Sequence, residues 1–537
     1  MRLRIIIPIC IILIVLTISA VSAEDNITLS DEGMLKTSND VSDLSQSSGT
    51  FSDIQNMIDS AQTDAEIDLE PITYVGSGTH IIFTKSMTIN GHGAVLDAKS
   101  SSEIFAVKNK QISPKIIVKD ITFKNGKHTE DYGNGGAIFG GDSNKCFIVY
   151  GCTFENCGAK NYGGAISGGT AYDSTFKDCY CGEDGGAIRY GDAINCNFIN
   201  CKADDSVFKT SNDHRDSGGA IDHGNAKNCN FTNCVADKFG GAINEGNAVN
   251  CNFINCKCGD RDLTKDVNIN HWYVGTGDGG AIHKGNAENC RFINCHSENY
   301  GGALAVGKAV NCYFEKCSSH KDGGAISTTD AVNCVFKECK SDSDGGAMDR
   351  GTAKNCQFIN CHADKYGGAI YHGSATNCVF TGNSADCGGA MSGGTYATIH
   401  AGVHKCTAKK CKFIKNSAKK YGGALYGVKH VSCKFSKNSA SWKGKNVQNF
   451  VSLKKVKVKK SAGKLVLTAN ILRHPGYKVI FKFNGKTYKS KVITKRDTPA
   501  KVTIKSSALK KLKVGKKIKY SATYLADTVE RTVKVKK

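Results

Sequence analysis

A short glycine repeat constrains what this chain can fold into more than any other feature of its sequence. The tripeptide GGA followed by Ile, Leu or Met occurs twelve times, first at Gly135 and last at Gly422. Six of the eleven intervals are 22 residues and one is 21, while the others are 28, 33, 34 and 39, which indicates one unit that sometimes carries an insertion. A fixed period in this range is typical of a solenoid, whose units stack on one another.

Each unit is composed of short strands rather than helices. Apolar and polar residues alternate, as at Cys378, Val379 and Phe380, which is the two-residue period of a β-strand. Glycine pairs allow tight turns where a side chain would clash, and asparagines at other turns can form hydrogen-bonded ladders between units. The repeats are therefore predicted to form a right-handed parallel β-helix. At ~4.8 Å per coil, twelve coils would make a rod of roughly 58 Å.

Two columns of cysteines follow from a second signature, NCxFxxC, as at residues 195–201. Parity places the first column on the same side of its strands as Phe198 and Phe231, toward the interior. We therefore predict buried thiols that pack the core, with disulfides, which exported proteins often contain, as the alternative. The CxxxxC spacing does not favour zinc. The first column comprises Cys196, Cys229, Cys251, Cys290, Cys312, Cys334, Cys356, Cys378 and Cys433, and the second Cys201, Cys234, Cys256, Cys295, Cys317, Cys339 and Cys361.

The first 23 residues have the features of an export signal. Arg2 and Arg4 precede an almost wholly apolar segment, 5–18, and the residues up to Ala23 are small. Cleavage is expected after Ala23, because the apolar run is short for a spanning helix; a retained membrane anchor is the alternative. No later run is long and apolar enough to span a bilayer, so the mature protein is predicted to be secreted without a transmembrane anchor.

The rest of the sequence divides into segments of different character. Residues 24–50 are rich in Ser, Asp and Asn and are predicted to be a flexible leader. Residues 51–130 begin with a capping-box pattern at Ser52–Gln55, which predicts a short cap helix before the first irregular coils. The repeats occupy residues 131–448, and residues 449–537 form a separate module. The apolar residues at helical spacing in the predicted cap are Phe51, Ile54, Met57, Ile58 and Ala61.

The C-terminal module is distinguished by its charge. From residue 450 onward the chain carries 26 Lys and Arg against 3 Asp and Glu, whereas the preceding residues are almost neutral. Its apolar residues alternate and Asn484-Gly485 is a strong hairpin signal, so a small antiparallel β-sandwich is predicted. Outward lysines could attach the protein to an anionic cell-wall polymer or keep it soluble, and the lack of an aromatic stacking pattern argues against nucleic acid. The attachment candidates are Lys510, Lys511, Lys513, Lys516, Lys517 and Lys519.

The sequence resembles known surface proteins over nearly all of the mature chain. The GGAI repeats with a following Phe and Asn resemble those of polymorphic outer-membrane proteins, which belong to the pectin-lyase-like β-helix group, and MTINGHGAVLDA resembles first coils of that superfamily. The end, with VIFKFNGKTYKSKV and LKKLKVGKKIKYSATY, resembles the Lys-rich Ig-like module of adhesin-like proteins of methanogenic archaea. The resemblance implies an all-β chain, a β-helix followed by a small Ig-like β-sandwich, that meets other cells or host glycans.

One position of the repeat varies from coil to coil, namely the residue that follows GGA and its apolar neighbour. If that neighbour points inward, alternation points this column outward, which makes it either a recognition surface or an ordinary solvated face. The column reads Arg189, Asp222, Asn244, His283, Ala305, Ser327, Asp349 and Tyr371. The candidate ligand-binding residues in it are Asp222, His283, Asp349 and Tyr371.

Insertions in the repeat are further candidates for binding. Those between Cys201 and Gly218 and between Cys256 and Gly279 leave the rod at the same turn, two coils apart, and should project from one edge. Aromatic rings in the second insertion suit stacking on a sugar, although they could instead cover the solenoid. These candidate ligand-binding residues are His271, Trp272 and Tyr273.

An enzyme is the main alternative, because β-helices of the pectin-lyase-like group include polysaccharide lyases and hydrolases. Hydrolases use paired carboxylates as acid and base. The residues whose types best suit acid–base work are Asp216, Asp222, His223, Glu245 and Arg189. No catalytic motif of the group maps onto them residue by residue, and no cofactor or metal is expected.

Together these features favour an exported adhesin-like protein that is retained at the cell surface or cell wall. The rigid β-helix would present loops to glycans or surface proteins of another cell, and the basic module would attach the protein to the envelope. A structural envelope protein is the third reading.

Overall fold

The computed structural model describes residues 48–107, 113–130, 133–141, 145–204, 216–259, 277–393, 406–471, 477–493, 498–524 and 527–537. They all belong to one compact unit, Ser47–Lys537. Over these residues the chain is almost entirely β-structure, with helices at Phe51–Ser60 (α1) and Ser506–Lys510 (α2). In this part of the chain no helix is long and apolar enough to cross a bilayer.

The predicted all-β fold with a parallel β-helix is confirmed. Strands of successive coils pair in parallel as four ladders, of which three belong to one 41-stranded sheet and the fourth forms a 13-stranded sheet. The strands before the first glycine pair are Ser48–Thr50, Ala65–Asp68, Thr73–Val75, Ile81–Phe83, Met87–Asp97, Phe105–Val107, Ile116–Lys124 and Lys127–His128.

Ladders 1 and 2 follow each glycine pair and are continuous in three coils, at Ile282–Glu288, Leu304–Val310 and Ile326–Val332. The separate strands of ladder 1 are Ile138–Phe139, Ile166–Ser167, Ile188–Arg189, Ile221–Asp222, Ile243–Asn244, Met348–Asp349, Ile370–Tyr371, Met391–Ser392, Leu425–Tyr426 and Val447–Gln448. Those of ladder 2 are Phe147–Tyr150, Gly169–Tyr172, Ala193–Ile194, Ala226–Lys227, Ala248–Val249, Thr352–Lys354, Ser374–Thr376, Thr407–Lys409 and Lys429–Val431.

Ladder 3 carries the phenylalanine of the NCxFxxC signature, and ladder 4 precedes the next glycine pair. The strands of ladder 3 are Thr153–Glu155, Thr175–Lys177, Asn197–Ile199, Asn230–Thr232, Asn252–Ile254, Arg291–Ile293, Tyr313–Glu315, Val335–Lys337, Gln357–Ile359, Val379–Thr381, Lys412–Ile414 and Lys434–Ser436. Those of ladder 4 are Gly158–Ala159, Tyr180–Cys181, Lys202–Ala203, Val235–Ala236, Lys257–Cys258, His296–Ser297, Ser318–Ser319, Lys340–Ser341, His362–Ala363, Ser384–Cys387, Ser417–Tyr421 and Ser439–Ala440.

A column of phenylalanines fills the interior of the β-helix, flanked by the two cysteine columns. The ring of Phe314 stacks between Phe292 and Phe336 with centroids 4.8 Å apart on each side. The cysteines of both columns from Cys196 to Cys378 are at most 2% exposed, whereas Cys433, near the end of the β-helix, is only partly buried. The 25 cysteines that the structure describes are free thiols. Burial raises the pKa of Cys152 to about 12. The cysteine side chains pack as small groups in the interior.

The two glycines of each repeat serve different purposes. The first has a positive φ, as at Gly323 with 72°, a conformation in which glycine is not strained. The second lies against the backbone of the next coil, where a Cβ on Gly324 would be 2.2 Å from the carbonyl oxygen of Gly346. The pair therefore permits both the turn and the close stacking of coils.

The predicted asparagine ladders are present at the turns. Asn333 has left-handed backbone geometry, with a φ of 56°, which asparagine tolerates better than most residues. Its Nδ2 donates to Oδ1 of Asn311 one coil earlier, and Asn355 Nδ2 donates to Oδ1 of Asn333, both at 3.1 Å. Each turn is thus hydrogen-bonded to the same turn of its neighbours.

Helix α1 packs on the first coils, but its capping box is not the predicted Ser52–Gln55. The N-cap is Thr50, whose Oγ1 accepts from the amide nitrogen of Asp53 at 3.3 Å. In return the Asp53 carboxylate accepts from the amide nitrogen of Thr50 at 2.7 Å. The prediction of the box was wrong because Thr and Asp, which serve this purpose equally well, stand two residues earlier. The buried side chains of α1 are Phe51, Ile54 and Ile58.

The C-terminal residues form two small sheets around a shared core that includes Phe481 and Tyr524. Within each sheet the pairing is antiparallel, except that Val458–Lys459 pairs in parallel with Asp527–Lys536. Asn484-Gly485 forms the turn of the predicted hairpin. An Ig-like relationship remains a prediction. The three-stranded sheet contains Val451–Leu453, Lys464–Ile471 and Ala500–Lys505, and the five-stranded sheet Val458–Lys459, Lys478–Phe483, Lys486–Val492, Lys517–Tyr524 and Asp527–Lys536.

Candidate functional site

The varied column after the glycine repeats is buried, so the prediction that it points into solvent is wrong. Asp222 and Asp349 are fully buried, and His283 and Tyr371 are each 5% exposed. The residue before a glycine pair folds over the column, as shown by the ring of Phe239, which stacks on His283 with centroids 4.4 Å apart. We call this column the seam; its members are Arg189, Asp222, Asn244, His283, Ala305, Ser327, Asp349 and Tyr371.

Near the start of the seam, Arg189 is held between two carboxylates and two aromatic rings. Its Nη2 lies 3.7 Å from Asp184 Oδ2, and its Nε lies 3.5 Å from Asp222 Oδ2. Its guanidinium carbon lies 3.3 Å from the ring centroid of Tyr162 and 4.8 Å from that of Tyr190, within cation–π range. Burial raises the pKa of Asp184 to about 8, and the charge of Asp222 adds to the shift while Arg189 opposes it.

His223 connects the buried Asp222 to the surface. Its Nδ1 lies 2.7 Å from Asp222 Oδ2, and its Nε2 lies 3.0 Å from Glu245 Oε2. The other Glu245 oxygen lies 2.9 Å from Lys284 Nζ. The hydrogen bond that His223 donates to Asp222 raises the pKa of His223, and the hydrogen bond from Lys284 lowers the pKa of Glu245. We call the contact chain from Arg189 through Asp222, His223 and Glu245 to Lys284 the relay.

Inside the protein, Asp222 is also held by its seam neighbours. Asn244 Nδ2 donates to Asp222 Oδ1 at 2.8 Å, and His283 Nδ1 lies 2.9 Å from Asn244 Oδ1. Burial lowers the pKa of His283 to about 4, so this ring is neutral and donates from Nδ1. Both carboxylate oxygens of Asp222 are therefore engaged by hydrogen-bond donors.

The buried position of Asp222 does not suit two-carboxylate hydrolysis. A hydrolase of the two-carboxylate type needs two carboxyl groups beside an open cleft, one of them protonated. The Asp222 side chain is 1% exposed, and Glu245 is paired with both His223 and Lys284. Asp216, also predicted for catalysis, is 1% exposed at the base of an insertion. The structure thus brings Asp222, His223, Glu245 and Arg189 together, but it places the central carboxylate out of reach of solvent.

Farther along the seam, Asp349 is a buried carboxyl group with few compensating charges. Its Oδ2 lies 3.4 Å from Arg350 Nε, and its Oδ1 lies 3.9 Å from His372 Nδ1. Burial raises the pKa of Asp349 to about 8; Arg350 opposes the shift. The negative charges of Asp322 and Asp344 add to it.

This carboxyl group predicts that stability declines as the pH rises. Because the pKa of Asp349 is about 8 in the folded protein against an ordinary 3.8, the native state holds an extra proton between these values. The free energy of unfolding should therefore fall as the pH rises from about 4 to about 8. Asp349→Asn should reduce that slope and raise the free energy of unfolding at pH 8 by roughly 1–3 kcal/mol, measured by urea unfolding across this pH range.

A matched control is Asp364→Asn, which alters a carboxylate of the same coil that is 50% exposed. In this variant the free energy of unfolding should change with pH as it does in the parent protein. If Asp349→Asn also showed the same pH dependence as the parent, the effect could not be assigned to the seam.

The remaining predicted residues that the structure describes are not part of the relay. Tyr371 is covered by neighbouring rings, with centroids 6.0 Å from Tyr366 and 3.9 Å from His372. The aromatic cluster at residues 271–273 lies outside the described residues. Lys519 pairs with Glu530 at 2.9 Å. All six attachment candidates have exposed side chains: Lys510, Lys511, Lys513, Lys516, Lys517 and Lys519.

One group of potential metal ligands was not anticipated from the sequence. His296 on ladder 4 and the residues that directly follow its strands, Glu298 and His320, bring one ligand atom each to within 4.8 Å of one another. A signal for it exists, because Glu298 and His320 are separated by one repeat period of 22 residues and so must be neighbours in adjacent coils. Residues one repeat period apart near ladder 4 therefore predict this metal-ligand group, whereas the spacing of the cysteines does not.

Comparison with known proteins gives limited matches. Residues 410–428 match the Chlamydia polymorphic membrane protein repeat, and no curated protein matches the chain. A PL6 alginate lyase in complex with a trisaccharide is similar in structure at 11% identity and a TM-score of 0.28, covering 76% of this chain and 89% of the lyase. The tailspike protein of E. coli bacteriophage HK620 in complex with a pentasaccharide is similar at 9% identity and a TM-score of 0.31, covering 90% of this chain and 87% of the tailspike.

Proposed function

We propose that this protein is exported, is retained at the cell surface and binds glycans or surface proteins of another cell, as an adhesin does. The observation that carries the proposal is that the described ends of two insertions lie at the same turn of a regular β-helix, in coils that also carry the exposed end of the relay. Binding loops held in fixed positions by a regular scaffold are a common arrangement for recognition.

The two insertions begin and end at the same turn, between ladder 4 and the glycine pair. Asp204 and Asp216 flank the first, and Gly259 and Gly277 flank the second. The amide nitrogens of Asp204 and Gly259 each donate to a carbonyl oxygen of the preceding coil at 2.9 Å, so both bases remain in register with the ladder. The coil between them continues through this turn without an insertion, so the described ends of the two insertions lie two coils apart at the same turn.

The same three coils display the exposed end of the relay. The side chains of His223, Glu245 and Lys284 are 40%, 36% and 54% exposed. The Tyr190 ring lies 5.2 Å from the His223 ring between centroids. A tyrosine face beside fixed donors and acceptors offers both the stacking surface and the hydrogen bonds that a sugar uses.

We also propose that the basic C-terminal sheets hold the protein to an anionic envelope polymer. The six attachment lysines are exposed around α2 and the strand Lys517–Tyr524, and among them Lys519 is paired with Glu530. Clustered ammonium groups attract a polyanion through a field that added salt screens.

A carbohydrate-active enzyme is the second candidate. The observation in its favour is that His223 bridges two carboxylates and is itself 40% exposed, so that a proton could pass between Glu245 and a bound substrate. The two candidates share one surface and differ in whether the ligand is released unchanged.

The test is to pass the purified protein over a panel of immobilised glycans and to measure retention and product together. We expect retention without shortened or unsaturated product. We expect Trp272→Ala to weaken binding roughly 30-fold, because a tryptophan at the centre of an interface contributes about 2 kcal/mol. Trp442→Ala is the matched control, since Trp442 is the second of the two tryptophans in the chain and is 61% exposed.

Three outcomes would contradict the proposal in different ways. Product that disappears in Glu245→Gln would favour the enzyme. If Trp272→Ala and Trp442→Ala weakened glycan binding equally, the insertion that contains Trp272 would not be part of the binding site. Neither retention nor product on any glycan, together with no binding to other cells, would favour a structural protein of the envelope.

A further inference from the structure

Three side chains converge on the outer face of ladder 4, away from the relay. His296 Nε2 lies 3.3 Å from Glu298 Oε1, and His320 Nδ1 lies 2.6 Å from Glu298 Oε2. The side chains of His296, Glu298 and His320 are 25%, 37% and 53% exposed, so the group is reachable from solvent. Among the residues that the structure describes, this is the group of His, Cys, Asp or Glu whose ligand atoms come close enough to hold a metal ion.

The ladder itself sets this arrangement. His296 and Glu298 lie on the same face because buried Ser297 separates them, and Ser297 pairs with Ser319 of the next coil. That register places His320 beside Glu298. No rearrangement of the backbone is therefore needed to bring the three side chains together.

Each imidazole has an outer partner on the ring nitrogen that faces away from Glu298. His296 Nδ1 lies 2.9 Å from Ser318 Oγ, and His320 Nε2 lies 3.7 Å from Asp342 Oδ2. Metal-binding histidines typically have such a partner, which fixes the tautomer and the ring orientation. The inner nitrogens, His296 Nε2 and His320 Nδ1, are thereby the ones directed toward the shared point.

Two glycines beside the group leave room for the Glu298 side chain. A Cβ on Gly259 would lie 2.7 Å from Glu298 Cβ, and one on Gly277 would lie 3.0 Å from it. Glycine at both positions leaves the space that the Glu298 side chain occupies.

The nearby charges are largely balanced. Lys340 Nζ is paired with Asp342 Oδ1 at 2.7 Å, and Lys257 precedes His296 in the ladder. Glu298 supplies the negative charge at the centre of the group.

We propose that His296, Glu298 and His320 bind one divalent transition-metal ion, with Zn²⁺ as the preferred ion. Two imidazole nitrogens and one carboxylate suit Zn²⁺, and three protein ligands leave a coordination position for water or an oxygen of another molecule. In the metal-bound state, His296 Nε2, His320 Nδ1 and the Glu298 carboxylate act as ligands without protons. The site joins two adjacent coils on the side of the rod.

The chain provides an internal comparison three coils away from His296. His362 Nδ1 lies 2.8 Å from Ser384 Oγ, and its Nε2 lies 3.1 Å from Asp364 Oδ1, which repeats the geometry of the first histidine. One coil farther on, however, the position that corresponds to His320 is Asp386, which pairs with Lys420 at 2.7 Å. The second histidine is missing, so this group is expected to be a poor metal site.

The experiment titrates metal-free, purified protein with Zn²⁺ in a calorimeter and with Co²⁺ in a spectrometer. We expect one ion per chain and visible Co²⁺ absorption of a tetrahedral or five-coordinate site. A thiolate-to-cobalt charge-transfer band should be missing, because the cysteines are buried. His320→Ala and Glu298→Gln should weaken Zn²⁺ binding by more than the roughly 10–100-fold that is typical when an outer partner is lost, and Ser318→Ala by about 10-fold.

His362→Ala is the matched control and should bind Zn²⁺ as the parent protein does. Unfolding curves of all variants establish that the β-helix is intact, which is expected because the substituted side chains lie on the outer face. The proposal is overturned if one-to-one binding survives in both His320→Ala and Glu298→Gln, if His362→Ala abolishes it equally, or if Co²⁺ shows thiolate ligation.

Discussion

Phe314→Ala should lower the free energy of unfolding by about 3–5 kcal/mol. The Phe314 side chain is fully buried and stacks on Phe292 and Phe336 at 4.8 Å on either side. Truncation removes both contacts and leaves a cavity, which neighbouring coils cannot fill because the backbone ladders hold them at a fixed spacing. Urea unfolding followed by circular dichroism measures the loss, and hydrogen exchange of the central coils measures it locally if the coils unfold in separate steps.

The control for this prediction is the same substitution at the end of the column. Phe435 is partly exposed and stacks on one side only, with its centroid 5.2 Å from that of Phe413. Phe435→Ala should therefore lower the free energy of unfolding by less than half as much as Phe314→Ala. If both variants lost the same free energy of unfolding, the description of the column as one continuous core would be contradicted.

Gly324→Ala should destabilise the protein by about 3 kcal/mol, the upper end of the usual cost of overpacking. The added Cβ would lie 2.2 Å from the carbonyl oxygen of Gly346 and 2.3 Å from that of Lys340. Both are backbone atoms of the ladders, so neither can move without displacing the next coil. The loss of stability arises from the steric contact alone. It should appear as a lower midpoint of urea unfolding, with an unchanged dependence of the unfolding free energy on urea concentration.

Gly463→Ala provides the control for the effect of glycine replacement itself. A Cβ on Gly463 would meet nothing within 4 Å, so its free energy of unfolding should change by no more than about 0.5 kcal/mol. A Gly324→Ala variant as stable as Gly463→Ala would show that the coils can separate to admit a methyl group.

The parts of the fold that depend on period and parity were predictable. The interval of 22 residues places Phe292, Phe314 and Phe336 in one column, and alternation puts the cysteines on the same inner side. These inferences need no knowledge of distant contacts, because a side chain two residues along a strand must return to the same face. The asparagine ladder at Asn311 and Asn333 follows from the same stacking.

The relay and the metal group could be predicted only in part. Residue types predict that Asp222, His223, Glu245 and Arg189 act together, and the repeat period makes neighbours of Glu298 and His320. Their contacts depend on side-chain direction within each coil, which the period does not specify. The hydrogen bond between His223 and Asp222, at 2.7 Å, joins adjacent residues whose strand parity alone would direct them to opposite faces. His223 departs from that parity because its φ of 54° turns the chain at the end of the strand.

The sequence by itself determined the solenoid, its inner columns and the position of its turns, because these follow from a repeat period and from the alternation of side chains along a strand. Only the tertiary structure decided that the seam is buried. Parity states that Asp222, His283 and Asp349 point away from the phenylalanine core, but it does not state what lies on the other side. There residues that precede glycine pairs, such as Phe239, fold back over the strand. That cover turns a column expected to meet solvent into a buried row of polar side chains with shifted pKa values.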